Sequence, residues 1–162
     1  MGQVAEILIA ASPAADMESR PSVRAEPGKG LEGDRYFAGV GTFSPPSRKP
    51  DYELTLIEQE NVELFAAEPG LRFTSVLARR NLVTKGIRLN SLVGQEFFVG
   101  EVHIRGIRLC EPCAHLAKRS FPEILKGLVH KGGLRAQILS AGTIRVGDPI
   151  LLADETNRNA DD

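Results

Sequence analysis

The only two cysteines of the chain, Cys110 and Cys113, stand in "GIRLCEPCAHL" at residues 106–116. Three chemistries use such a pair: a metal clamp, a dithiol redox couple, or one nucleophilic thiolate with a neighbour that tunes it. In each the thiolate is the reacting form. A strand is expected to end at Leu109, and a short helix to begin beside Cys113 with Pro112 in its first turn. Unpaired N–H groups and the helix dipole at that start favour a thiolate. Ile107 and Leu109 surround Cys110 with apolar groups, which favour the neutral thiol. Cys113 is therefore expected to react first, with Cys110 resolving or tuning it and His115 close by. The plain alternative is that both are small apolar residues packed in a core.

A zinc site needs three or four ligands. His103, His115 and His130 are the available histidines, but none stands at a recognised zinc spacing and no second C-x-x-C exists. A thioredoxin-like couple fits the proline before the second cysteine. That fold requires a βαβ unit ahead of the pair, and here a β-hairpin precedes it.

Three further clusters carry polar chemistry. "GLEGDRYF" joins a flexible backbone at Gly33 to the acid Asp34 and the guanidinium of Arg35. Such a dipeptide is commonly a structural ion pair; it also suits an anionic or heterocyclic ligand, because the arginine fork matches phosphate. No G-K-[ST] follows, so it is not a Walker loop. "RRN" places Arg80 and Asn81 ahead of an apolar strand, either as a solvated start or as a phosphate anchor with an amide reader. "HKGGLRAQIL" sets Gly133 and Arg135 behind His130 and Lys131. Glycine there allows close approach of backbone to a ligand, and histidine near a helix end is equally an ordinary stabiliser.

The elements that must position these groups are mostly strands. They are expected at 3–11, 22–25, 54–58, 79–84, 134–140 and 143–153, the last turning on Gly147-Asp148-Pro149. Residues 89–109 read as two strands joined at Gly100-Glu101, with Val102 and Ile104 on one face and His103 and Arg105 on the other. A helix is expected over 58–70, stopped by Pro69-Gly70, and short helices after the cysteines and from Ser120 to about Val129. Residues 26–53 are too rich in glycine and proline for a helix or long strand. Within them, 38–50 are expected to be the most mobile and to become protected by ligand. The fold class is mixed and β-rich, a barrel or sheet with a few short helices. Residues 1–153 form one domain and 154–162 a flexible acidic tail.

A net charge of −1 argues against a broad nucleic-acid surface. No apolar run approaches the ~20 residues of a spanning helix. No secretory start is seen, so the chain reads as cytoplasmic.

Taken in order, "GLEGDRYF", "RRNLVTKGIRLNSLVGQEFFVGEV", "GIRLCEPCAHL" and "GTIRVGDPILL" resemble a MOSC domain, the C-terminal domain of molybdenum cofactor sulfurases. The resemblance spans residue 30 to about 153, and the small stand-alone bacterial members are the nearest in form. It implies a β-barrel and a cysteine that carries sulfur as a persulfide or ligates molybdenum. That cysteine falls on Cys113, and the binding motifs fall on Gly33, Asp34, Arg35, Arg80 and Asn81. Molybdenum cofactor (molybdopterin) is the implied cofactor, with Arg35, Arg80 and Arg135 clamping its phosphate. Pyridoxal phosphate enters only through a partner cysteine desulfurase. A redox partner and a small-molecule acceptor complete the expected set, for a sulfurtransferase or a molybdenum-dependent reductase component. A reading from another class stays beside it: a non-catalytic binding module with packed cysteines.

Overall fold

The computed structural model describes residues 2–12, 15–35, 37, 53–66, 79–109 and 133–153. Their strands are β1 (Gly2–Ile9), β2 (Glu18–Ser19), β3 (Ser22–Glu26), β4 (Gly30–Leu31), β5 (Leu54–Glu58), β6 (Leu82–Lys85), β7 (Glu96–Val99), β8 (Val102–Leu109), β9 (Leu134–Ile138), β10 (Gly142–Arg145) and β11 (Pro149–Leu152). One helix, α1 (Gln59–Ala66), follows β5, and a 3-10 turn occupies Leu89–Leu92.

Seven strands close a mixed barrel in the order β11-β7-β8-β9-β5-β6-β1, with β11 returning to pair with β1. Only β5 and β6 run parallel among these neighbours. That follows from connectivity, since α1 lies between them and a parallel pair needs such a crossover. Alternation along the strands fills the interior. Ile7, Leu54, Leu56, Leu82, Ile104, Leu134, Ala136 and Ile150 join one core cluster. Burying each large aliphatic side chain is worth about 1.5–3 kcal/mol.

The opposite face of β5 and β6 is also buried. Ile57 and Val83 lie outside the core cluster yet have almost no exposure, and α1 packs against both strands with Val62 buried. A second sheet, β10-β3-β4, lies beside the barrel. The outer edge of β10 is closed by carboxylates: Glu101 Oε1 accepts from the Thr143 N–H at 3.0 Å, and Asp148 Oδ2 from the Arg145 N–H at 2.8 Å. Capped N–H groups of this kind block edge-to-edge pairing.

The β-rich barrel expected from sequence is the observed one, and the hairpin at Gly100-Glu101 joins β7 to β8 as expected. Four details differ. The strand expected at 79 begins at Leu82, because Arg79 adopts φ 57°, which no strand accommodates. The strand expected from 89 is replaced by the 3-10 turn, whose Leu89 and Leu92 plug the core. The helix expected from 58 starts one residue later, with Glu58 still in β5. The short strands β2 and β4 carry no periodic signal and were not anticipated. The helices expected after the cysteines, residues 38–50 and the tail 154–162 lie outside the described residues. Among the described residues no helix is long and apolar enough to cross a membrane.

Candidate functional site

Register brings the predicted polar residues into one row across the barrel wall. On β8 and β9, Arg108 stands opposite Arg135 and Leu109 opposite Leu134. On β9 and β5, Arg135 stands opposite Thr55. Asn81, one residue ahead of β6, lies beside Thr55, and its carbonyl accepts from the Leu8 N–H of β1 at 2.7 Å. Leu54, Leu56, Leu82, Leu134 and Ala136 all face the core, so Thr55, Asn81 and Arg135 project to the outer face. They are buried nonetheless, at 2%, 0% and 8% exposure.

Asn81 is the stitch of this row. Its Oδ1 accepts from the Thr55 N–H at 3.2 Å and from Thr55 Oγ1 at 3.1 Å, while its Nδ2 donates to the Leu8 carbonyl at 3.2 Å. Its own N–H donates to Thr55 Oγ1 at 3.0 Å. A fully buried amide requires such partners, because each orphaned group costs about 1–3 kcal/mol. The amide expected to read a ligand is thus engaged in joining β1, β5 and β6.

The Gly33-Asp34-Arg35 turn docks at the end of β1. Gly33 has φ +90°, where a side chain is strained. Asp34 Oδ1 accepts from the Ala10 N–H at 3.0 Å and from Arg35 Nη1 at 3.1 Å. The side chains of this ion pair are 0% and 6% exposed. Arg35 reaches further: Nη1 lies 3.4 Å from the Met17 sulfur, and Nη2 donates to the Arg79 carbonyl at 3.3 Å. Arg79 in turn donates from Nη1 to the Ala15 carbonyl at 2.8 Å. It is the only non-glycine of positive φ among the described residues, and it immediately precedes Arg80, itself 8% exposed. A conformation of that kind costs on the order of 1 kcal/mol, so the surrounding contacts must hold it.

Gly133 behaves as a contact residue rather than a free hinge. A Cβ there would collide with the Leu56 carbonyl oxygen, so only glycine lets β9 enter against β5. Sequence reasoning missed two members of the neighbourhood. Glu53 is 4% exposed, and its Oε1 accepts from the Gly28 N–H at 3.0 Å and the Ile138 N–H at 3.2 Å, tying the β3–β4 turn to β9. A lone glutamate in a breaker-rich loop gives no sign of that duty. Arg108 is the other, and only its register beside Arg135 singles it out.

Residues at the borders of the long connections converge on this row. Arg35 contacts residue 79, Leu109 pairs with Leu134, and Gly133 abuts Leu56. Cys110, Cys113, His115 and His130 lie outside the described residues; Leu109 is the last described residue before them. Among the described residues no group of three or more His, Cys, Asp or Glu side chains could hold a metal ion. His103 sits 3.2 Å from Glu96 through Nε2 and stacks on Phe98, away from the row. The distance suits an ion pair, although the hydrogen-bond geometry does not. Burial, with Glu60 next, raises the pKa of Glu58 at the far end of β5, against lowering contacts from the Leu89 backbone, Arg88 and Asn61.

Comparison with known proteins agrees with the fold. The YUAD protein of Bacillus subtilis superposes with a TM-score of 0.78 at 15% identity, covering 94% of this chain and 96% of that one. YiiM of Geobacillus stearothermophilus gives 0.73 at 17% identity, covering 94% and 75%. YiiM of Escherichia coli gives 0.62 at 20% identity, covering 91% and 69%. No match is found among curated proteins. Residues 44–151 match the MOSC domain, a family associated with molybdenum cofactor sulfurases. The chain therefore belongs to the MOSC domain family.

Proposed function

We propose that this protein works through Cys113, either as a sulfur carrier or as a soft sulfur ligand to molybdenum. The observation that supports the reading is the MOSC match over residues 44–151, which takes in the cysteine pair. As a carrier, the Cys113 thiolate attacks the terminal sulfur of a donor persulfide. The donor S–S bond breaks, the donor leaves as a thiolate, and Cys113 keeps the sulfur as a persulfide for an acceptor. A cysteine desulfurase is the proposed donor, and pyridoxal phosphate belongs to that partner. The reduced thiols that this chemistry needs suit a cytoplasmic setting.

Molybdopterin is a fitting ligand for the residues present in one respect. Its phosphate matches the guanidinium fork, and Arg80 and Arg135 are both recessed, each 8% exposed. Arg35 is partly committed to Asp34 and the Arg79 carbonyl, so it acts from a fixed position. Asn81 and Gly133 shape the backbone around these groups. Bound molybdenum would supply the redox centre of a reductase component.

Elemental analysis and intact mass of natively purified protein test this reading. Molybdenum, or the added mass of one sulfur atom, is expected and should vanish in Cys113→Ser. Cys110→Ser should keep a measurable part. Protein free of molybdenum and of added sulfur, with both thiols inert to brief alkylation, would instead establish a binding module with packed cysteines.

A further inference from the structure

The small sheet β10-β3-β4 sets three polar residues in a row across its strands. Thr143 stands opposite Arg24. The Glu32 N–H continues the β3–β4 ladder with a bond to the Arg24 carbonyl at 2.9 Å, which places Glu32 opposite Arg24 on the other side. Opposed residues of an antiparallel pair hold their Cβ atoms about 5 Å apart, close enough for an arginine and a glutamate to pair. Here they do not. Arg24 Nε donates instead to Glu26 Oε1 at 3.0 Å, two residues along its own strand. Arg20 is engaged in the same way, with Nη2 donating to Glu18 Oε2 at 2.7 Å and Nη1 to the Ser19 carbonyl at 3.2 Å. Among the described residues, neither the Glu32 carboxylate nor the hydroxyls of Ser22 and Thr143 take part in a hydrogen bond or ion pair.

Glu32, Ser22 and Thr143 line one cavity of about 350 Å³, together with Arg20 and Arg24. Its apolar part comes from Ile9, at the end of β1, and Val23, each 7% exposed. A space of that size, with apolar surface and a few polar groups, suits a small molecule. Charge decides which kind. Glu18 and Glu26 offset the two guanidinium groups from outside the lining, and Glu32 is the acid within it, so its carboxylate is the charge left unanswered. An ammonium group has three N–H donors, one for the carboxylate and one for each hydroxyl. An alkyl or aryl body behind it would cover Ile9 and Val23. The cavity borders the docked turn, since Ile9 precedes the Ala10 that Asp34 holds, but it shares no residue with the row of Thr55, Asn81 and Arg135.

We propose that this cavity binds a small primary amine in its ammonium form, with Glu32 as the counter-ion and the Ser22 and Thr143 hydroxyls as the further acceptors. The ligand class is a free alkyl- or arylalkylammonium ion. The proposal goes beyond the cysteine reading and holds whether or not Cys113 carries sulfur or metal.

The experiment is an NMR titration of the nitrogen-15-labelled full chain with 2-phenylethylammonium chloride at constant ionic strength. The amide signals of Val23, Arg24, Glu32 and Thr143 should shift and saturate at millimolar ligand, the range that so few heavy atoms can reach. Two probes of the same shape separate charge from apolar contact on the wild-type chain alone. Neutral 2-phenylethanol should bind about fivefold more weakly, and anionic 3-phenylpropionate should give no saturable shift. Glu32→Gln should weaken the ammonium about fivefold, whereas Glu63→Gln, an exposed acid on α1, should leave it unchanged. Thr143→Val should weaken it less than Glu32→Gln does. No saturable shift in wild type, equal binding of the alcohol or the carboxylate, or an unchanged affinity in Glu32→Gln would each overturn the proposal. The metal and mass measurements on Cys113 are made without amine, so neither reading can hide the failure of the other.

Discussion

On β5, β6 and β9, two sets of buried residues alternate one position apart. Leu54, Leu56, Leu82, Leu134 and Ala136 face the core; Thr55, Asn81 and Arg135 face outward. The inner set is held by apolar burial, which is non-directional and tolerates swaps of similar volume. In the outer set Thr55 and Asn81 are held by hydrogen bonds that need named partners at set distances, so they tolerate little. Farther along the same strands, Ile57 and Val83 return the outer face to apolar packing under α1. On the described outer face of β5 and β6 the buried polar residues are therefore Thr55 and Asn81, at the end that meets Arg135, and this marks the stretch as the candidate site.

The sharpest way to break this contrast is Asn81→Leu. It abolishes the side-chain bonds to Thr55 and Leu8, so the Thr55 N–H, the Thr55 hydroxyl proton and the Leu8 carbonyl lose that buried partner, and about 3 kcal/mol or more of stability should be lost in urea unfolding. Leu56→Ala, on the inner face, should cost a comparable 2–5 kcal/mol by leaving a cavity. The sharpening test is the conservative pair. Leu56→Met should cost under about 1.5 kcal/mol, whereas Asn81→Asp, of similar volume, should cost more than that by placing a charge where Nδ2 donates. If Asn81→Leu costs under about 1 kcal/mol, the row is not structural and its amide is free for ligand duty.

Thr55→Val keeps the shape and removes one hydroxyl that both donates to and accepts from Asn81, for an expected loss of about 1–2 kcal/mol. Arg79 separates backbone from side chain. Glycine suits φ 57°, so Arg79→Gly should be more stable than Arg79→Ala by about 1 kcal/mol, though both lose the bond to Ala15. Equal stability would mean that the turn relaxes and the conformation is not enforced.

The smallest effect belongs to Glu58, beyond the apolar end of the same strand. Its raised pKa means the folded state binds the proton more tightly than the unfolded chain does. Stability therefore falls as pH rises from the unfolded value through the raised folded one, and the penalty is complete above the folded value. Glu58→Gln should melt above wild type at pH 7, and the advantage should disappear below the ordinary glutamate value of 4.5. An advantage that grows in acid would reverse the sign of the cause, which is burial reinforced by Glu60.

The amino-acid sequence determined by itself where most strands lie, because alternation and turn residues act locally. "LTLIE" matches β5 residue for residue, and Gly100-Glu101 marks the β7–β8 hairpin. It also named the polar motifs: Gly33-Asp34-Arg35, Arg80-Asn81 and Arg135 all lie on or beside one row. Tertiary structure alone decided what those groups do. That Thr55 and Asn81 are outward yet buried depends on packing over the wall, which no pattern of period two reports. That Asp34 holds β1 and Glu53 holds β9 depends on contacts between residues 24 and 85 positions apart. That Arg108 stands opposite Arg135 depends on a bulge just after Gly106, a position where Leu92 leaves no room for a side chain. Local propensity sets the direction of a strand, but which partner satisfies a buried polar atom is a property of barrel closure, and closure is fixed by all seven strands at once.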